Sequence, residues 1–470
     1  MNKKFWLSLY VIVGGLINPG LAGAHAFSQD YTLPLPLSVF LYGGAGAIAA
    51  SFFIIGLFLK EKSKTGQKTR DISRLTIVRW VRSDLSRNSL KASGLLILAL
   101  LVAAGLVGTQ FSLSNIAPVF VWVIFTVGFS YLIAIFGNFW PALNPWRTIA
   151  GWVGEEKGIL DYPKKLGYWP AVVLYFLFIW NEVVAGGESA VPRNLSTIIL
   201  GYSFINIVGS YLFGIRDWFR YGEFLSVFFN LLGRMSPFEE KSGKIFLRPP
   251  FLGVLSKPVE SFSQVVFIIF ILSSTAYDGF RETTSWLRFD LWAYPFYENF
   301  GEGGSRLFET VGLIFSPLLF LGFYLLFVYF SKIVTGSREK FLPLSFQFAP
   351  SLLPIALVYH VAHYYTLLVI QGQSIVYLIS DPFGLGWDLF GTSGYQVNVG
   401  ILRADTIWYT QVGLIVLGHI AAVYLSHLIA LRVFKSGRLA TISQLPMLLL
   451  MVLYTLTGLW ILAQPLGFAG

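Results

Sequence analysis

Ten stretches of this sequence stay apolar long enough to cross a bilayer, and no other feature constrains the fold as tightly. A hydrocarbon core of about 30 Å needs roughly 20 helical residues. Runs of that kind lie near 37 to 59, 92 to 111, 117 to 136, 169 to 187, 195 to 215, 259 to 280, 307 to 330, 348 to 371, 408 to 433 and 445 to 466. In lipid every backbone amide and carbonyl must find its partner within the chain, so each run is expected to be a helix and not an open-edged strand. The expected fold is an all-α polytopic membrane protein of about ten transmembrane helices with short interfacial helices, one domain over residues 27–470. Composition agrees, since 12% charged residues is about half the soluble average and cannot cover a soluble globule of this length. With no cysteine, disulfides, thiolate metal sites and cysteine nucleophiles are excluded.

Residues 1–26 read as a secretory signal peptide, with Lys3 and Lys4 before the apolar run Phe5 to Val13, then Pro19-Gly20 and the small-residue stretch Leu21 to Ala26. Two cleavage points fit, giving a mature start at His25 or at Phe27. A terminal His25 would offer its α-amine and imidazole to one metal ion; otherwise it is only a junction residue. With an exported mature N-terminus, the loops at 60 to 91, 137 to 168, 216 to 258, 331 to 347 and 432 to 444 are cytoplasmic and hold 27 Lys plus Arg, against 5 in the exported segments. That bias is the positive-inside pattern, and it puts the C-terminus on the exported side too. It also accounts for the net charge of +10 without a nucleic-acid partner. The run Lys60 to Lys64 reads as an anchor at the lipid head groups.

Four connections look like more than linkers. Asn144-Pro145 has the N-cap and first-turn residues of a helix lying on the membrane surface, with Trp146 and Trp152 expected to face lipid. Glu223 to Arg234 repeats Phe224, Val227, Phe228 and Leu231 at helical spacing and is expected to form a second such helix. The exported segments 281 to 306 and 372 to 407 are long enough to be lids or cavity walls, or simply a solvated cap.

Apart from His25, the histidines fall on two consecutive spans: His360 and His363 on the eighth, His419 and His427 on the ninth. Spacing of three puts His360 and His363 about 60° apart on one face, whereas His419 and His427 differ by about 12 Å in height. His360, His363 and His419 lie at similar depth and are the geometric candidates for one mononuclear metal site. His427 is the deeper alternative. Intramembrane acids are costly unless paired or coordinated, which singles out Glu182 and Asp278 as fourth ligand or general base, and Glu309 at the start of the seventh span. Three imidazoles plus a carboxylate or water is an ordinary set for zinc, iron, manganese or copper. A membrane histidine can equally be a hydrogen-bonded tie between helices. Tyr359, Tyr364, Tyr365 and Tyr424 flank the histidines as possible outer-shell donors. No phosphate-binding loop, H-E-x-x-H or G-x-S-x-G motif is present.

The chain resembles the fenitrothion hydrolase family of bacterial multi-pass membrane proteins. The resemblance is carried by HAFSQDYTLPLPL from His25, GTQ at Gly108, NIAPVFVWVIFTVG from Asn115, ALNPWRTIAGW from Ala142, YHVAHYYTLLVIQGQ from Tyr359, SDPFGLGWDLFGTSGY from Ser380 and WYTQVGLIVLGHIAAVYLSH from Trp408. It implies a bacterial inner-membrane enzyme that hydrolyses an organophosphorus triester at its aryl ester bond. It supplies no residue roles. A divalent ion held by the histidines would lower the pKa of bound water to about 7, and an apolar intramembrane cavity suits a small lipophilic substrate. Two rival classes stay open. One is a haem or copper redox protein, for which the histidine spacing permits one haem and argues against two; the other is a metal- or proton-coupled transporter.

Overall fold

The structure is a computed structural model, and it describes residues 33–58, 69–434 and 436–464. The expected signal peptide, its two cleavage points, His25 and the Lys60 to Lys64 run lie outside the described residues. Within them the protein is an all-α multi-pass membrane protein. Nine helices are long and apolar enough to cross a bilayer among the described residues. The fourth expected span forms only the 15-residue helix Trp169–Val183, about 22 Å at 1.5 Å per residue.

The principal helices are α1 (Leu37–Phe58), α2 (Asp84–Val107), α3 (Ile116–Phe136), α4 (Pro145–Val153), α5 (Trp169–Val183), α6 (Pro192–Phe213), α7 (Phe224–Gly233), α8 (Phe262–Arg281), α9 (Thr284–Tyr297), α10 (Gly301–Thr335), α11 (Leu353–Ile370), α12 (Ala404–Val433) and α13 (Gly437–Leu462). Helix starts follow local chemistry. Ser83 accepts a hydrogen bond from the Ser86 amide and starts α2 eight residues before the apolar run. Asn115 accepts from the Ala117 amide at the head of α3, and Ser261 from the Gln264 amide at the head of α8. The central part of α3, Val119–Phe129, is wound as a π-helix, a wider turn that recurs at functional sites.

Helix α8 is the axis of the molecule. Of its apolar window 89% is buried, against 22% for α1 and α2, whose outward faces therefore belong to lipid. It packs against α5, α10, α11 and α13, while α11 also packs against α12, and α12 against α13. Gly418 permits the α11–α12 approach: a Cβ there would fall 2.1 Å from Val358 Cγ2.

Several expectations are corrected. Asn144 does cap α4, its side chain accepting from the Arg147 amide at 3.0 Å, but Trp146 does not face lipid. It is buried and donates to Ser203 Oγ at 2.7 Å; Trp152 is the exposed one. Nor does α7 turn its apolar face to lipid. Phe224, Leu225, Phe228, Phe229, Leu231 and Leu232 are all buried, while Asn230 on the opposite face is exposed, so the apolar side of an amphipathic helix is packed into the protein. The segment 281 to 306 is largely helical as α9. A small antiparallel sheet, which the sequence reading did not anticipate, joins β1 (Arg70–Asp71), β2 (Phe238–Lys241) and β3 (Lys244–Leu247) in the order β1-β3-β2, with Arg70 opposite Leu247 and Glu240 opposite Ile245.

Candidate functional site

The site grows from the last two turns of α8. Ser273, Ser274, Thr275 and Asp278 interrupt an otherwise apolar helix and are all buried. A carboxylate at that depth needs donors, and α11 supplies two. Asp278 Oδ2 lies 3.0 Å from His363 Nε2 and accepts the Tyr364 hydroxyl at 2.6 Å. Gly279 makes room for the imidazole, since a Cβ there would meet His363 Cε1 at 3.2 Å and Ile461 Cγ2 at 2.9 Å.

Beside this network is a cavity enclosed by α3, α5, α7, α8 and α11. Its walls are mainly aromatic, with Phe125, Phe178, Phe224, Phe228 and Phe229, and its polar lining comprises Glu182, His360, Tyr364, Tyr175, Ser274, Thr275, Thr126 and Ser130. The free space suits about one water molecule. Thr126 and Ser130 donate their hydroxyl protons to the Val121 and Thr126 carbonyls, at 2.8 and 2.5 Å, so both present acceptor oxygens. The Tyr175 and Ser274 hydroxyls are paired at 3.1 Å. Glu182 and His360, like the Thr275 hydroxyl, have no side-chain hydrogen-bond partner among the described residues, and they are the two that can carry a proton near neutral pH. The ring of His360 lies edge-on to Tyr131 at 6.0 Å and tilted on Tyr364 at 4.9 Å. Asp278 is close enough to act electrostatically on both Glu182 and His360.

One turn beyond Asp278, Arg281 ties the end of α8 to α5 and α10. It pairs with Glu309 at 3.3 Å and Glu282 at 3.1 Å, and it donates to the carbonyl of the cavity residue Val183. Glu309 is thus held by an ion pair. Glu223, buried on the opposite flank, serves as the cap of α7 by accepting from the Leu225 and Ser226 amides at 3.2 and 2.7 Å, and it also accepts from Tyr202.

The three imidazoles expected at one ion are divided. His360 faces the cavity, His363 is engaged by Asp278, and His419 lines a different cavity, its Nδ1 bonded to its own Ile415 carbonyl at 2.8 Å. His427 is buried further along α12, next to the Ser426–Gln444 hydrogen bond of 2.5 Å. Among the described residues no group of three or more His, Asp or Glu side chains is placed to hold a metal ion. The cavity offers two ligand side chains, Glu182 and His360, where catalytic zinc sites use three; this donor set does not fit the expected ion. Sequence reasoning underrated Tyr364 and missed Tyr175, Arg281 and the Ser-Ser-Thr run. Hydroxyls followed one turn later by an acid, within an apolar span, were the available signal.

Fold and site together define a polytopic membrane protein with a buried acid–imidazole cavity. No protein-family model matches the chain, and no curated protein or solved structure matches it at a significant level.

Proposed function

We propose that this chain is a membrane-embedded acid–base hydrolase for small, uncharged, lipophilic esters of the organophosphorus triester kind, in the bacterial inner membrane with its basic loops in the cytoplasm. One observation carries the reading: Glu182 and His360, two groups able to carry a proton, line the same cavity without a hydrogen-bond partner among the described residues. An aromatic wall suits a lipophilic guest. The family resemblance supports the substrate class, and one of its strings contains Tyr359, His360, His363 and Tyr364 together; Glu182 and Asp278 lie outside those strings.

In this mechanism a cavity water attacks phosphorus as His360 takes its proton. The bond from phosphorus to the aryl oxygen breaks, and the departing oxygen receives the proton of the Glu182 carboxyl. Diester and phenol leave, and passage of the proton from His360 to Glu182 restores the site. Asp278 fixes His363 and Tyr364 behind His360 and so sets the shape of the cavity. The present conformation is closed, so entry requires the aromatic wall to part, which fits product release or opening as the slow step.

The test is release of nitrophenol from a neutral nitrophenyl phosphotriester by the purified chain in lipid nanodiscs. Turnover lost in both Glu182→Gln and His360→Gln supports the reading; full turnover in either variant rejects it. The small size of the cavity favours a second reading, in which the same groups relay protons across the bilayer. Proton flux into proteoliposomes with no ester turnover would select that reading.

A further inference from the structure

A second cavity lies on the other side of α11, among α8, α10, α12 and α13. Its walls are apolar through Leu272, Phe320, Ile355 and Ile461. Tyr359, His419, Tyr454 and Thr457 break that lining; the Tyr454 hydroxyl is spent on the Phe320 carbonyl at 3.2 Å. Tyr359 Oη and His419 Nε2 are both buried, and neither has a hydrogen-bond partner among the described residues. They come from facing helices, with side chains 4% and 1% exposed. The roles of the two atoms follow from their surroundings. His419 Nδ1 meets the Ile415 carbonyl at 2.8 Å and must therefore carry the ring proton, which leaves Nε2 as a lone-pair acceptor. Tyr359 offers a hydroxyl donor. A buried donor and a buried acceptor left unpaired in one apolar chamber are costly, and one ligand bearing both functions would satisfy them together.

We propose that this chamber is a binding site for a single small, neutral, hydroxylic ligand, water in the resting protein, held between Tyr359 and His419. Neutrality follows from the lining, which contains no carboxylate and no cationic side chain, so an ion would have no counter-charge. Size follows from the free space, again about one water molecule. The chamber adjoins the Asp278–His363 pair. Ile461 belongs to its wall and also lies beside the His363 edge over Gly279, and Asp278 acts electrostatically on Tyr359. Its hydroxyl ligand is thus placed to exchange protons next to the acid–base network without entering the first cavity.

The site does not depend on ester hydrolysis, and its test reads binding directly. Full-length protein labelled with nitrogen-15 histidine is reconstituted in bilayers and studied by magic-angle-spinning NMR. The expected result is an unprotonated Nε2 signal, assigned to His419 by its loss in His419→Gln, that receives magnetisation from water. Tyr359→Phe should weaken that transfer severalfold and leave the other histidine signals in place. Absence of water transfer to this nitrogen in the unmodified protein overturns the proposal, as does a shift of the signal on titration with Zn2+ alone, which would make the ligand a cation.

Discussion

Asp278 Oδ2 stands 3.0 Å from His363 Nε2, so two residues separated by 85 positions in the chain join the central helix to α11 at the depth of the candidate site. The same oxygen takes the Tyr364 hydroxyl. One carboxylate thus orders two of the residues packed around His360, and its effects should be felt in catalysis although it is not placed against the substrate.

Asp278→Asn keeps the shape of the side chain but weakens its hold on both donors. The expected loss in ester turnover is about 10²-fold, the lower end for a disturbed acid–base site. Tyr364→Phe removes one hydrogen bond of two, and roughly tenfold is expected. A stopped assay on both variants in nanodiscs checks the order; an Asp278→Asn enzyme faster than Tyr364→Phe would contradict the positioning role.

Glu182 and His360 act on one reaction step in the proposed mechanism, so their substitutions should not add. If Glu182→Gln and His360→Gln each cost about 10²-fold, the double variant should fall little below the worse single one, as for groups that work as a unit. A double variant reduced by the product of the two factors would mean separate roles and would remove the concerted transfer.

The transmembrane plan was legible because the bilayer admits few solutions: each apolar run had to be a helix, and Asn144 announced α4 by cap chemistry alone. What failed was the distinction between a surface helix and a buried one. Phe224 to Leu232 reads as an amphipathic helix, and only the neighbouring helices decide that its apolar face meets protein and not lipid; Trp146 is likewise turned inward by its bond to Ser203. The sheet hairpin did leave a trace, since Ser242 and Gly243 are the two-residue turn between β2 and β3 and both have positive φ, 49° and 71°. The site was half readable. Helical spacing correctly placed His360 and His363 on one face, but an angular difference of about 60° is enough to send one ring to the cavity and the other to Asp278. Partners from distant helices decide that, and one sequence does not encode their azimuth in any local pattern.

The approach of α11 and α12 sets the positions of His360, Tyr359 and His419 together, and it passes through Gly418. In Gly418→Ala the new methyl would lie 2.1 Å from Val358 Cγ2 and 2.9 Å from its Cβ. A branched residue has little freedom to turn aside, so the helices must separate. Overpacking of this kind costs about 1–3 kcal/mol. Thermal unfolding in detergent should show a lower midpoint, and the double change Gly418→Ala with Val358→Ala should recover most of it. An unaltered midpoint in the single variant would place the helices farther apart than described.

A pH prediction comes from the connection between α11 and α12. Asp388 accepts a hydrogen bond from the Ser393 amide at 3.0 Å. That amide, followed in importance by the opposing effect of burial, holds the carboxyl below its ordinary value, which is about 3.9. Because the folded value is the lower one, the contribution of this contact is complete above about pH 4 and disappears only as pH falls through the folded value. Hydrogen exchange at the Ser393 amide, corrected for the intrinsic rate, should therefore show the same protection at pH 7 and pH 5. Asp388→Ala should lose that protection at both. Protection that already declines between pH 7 and pH 5 in the unmodified chain, or that survives in Asp388→Ala, would show that the carboxylate does not order this turn.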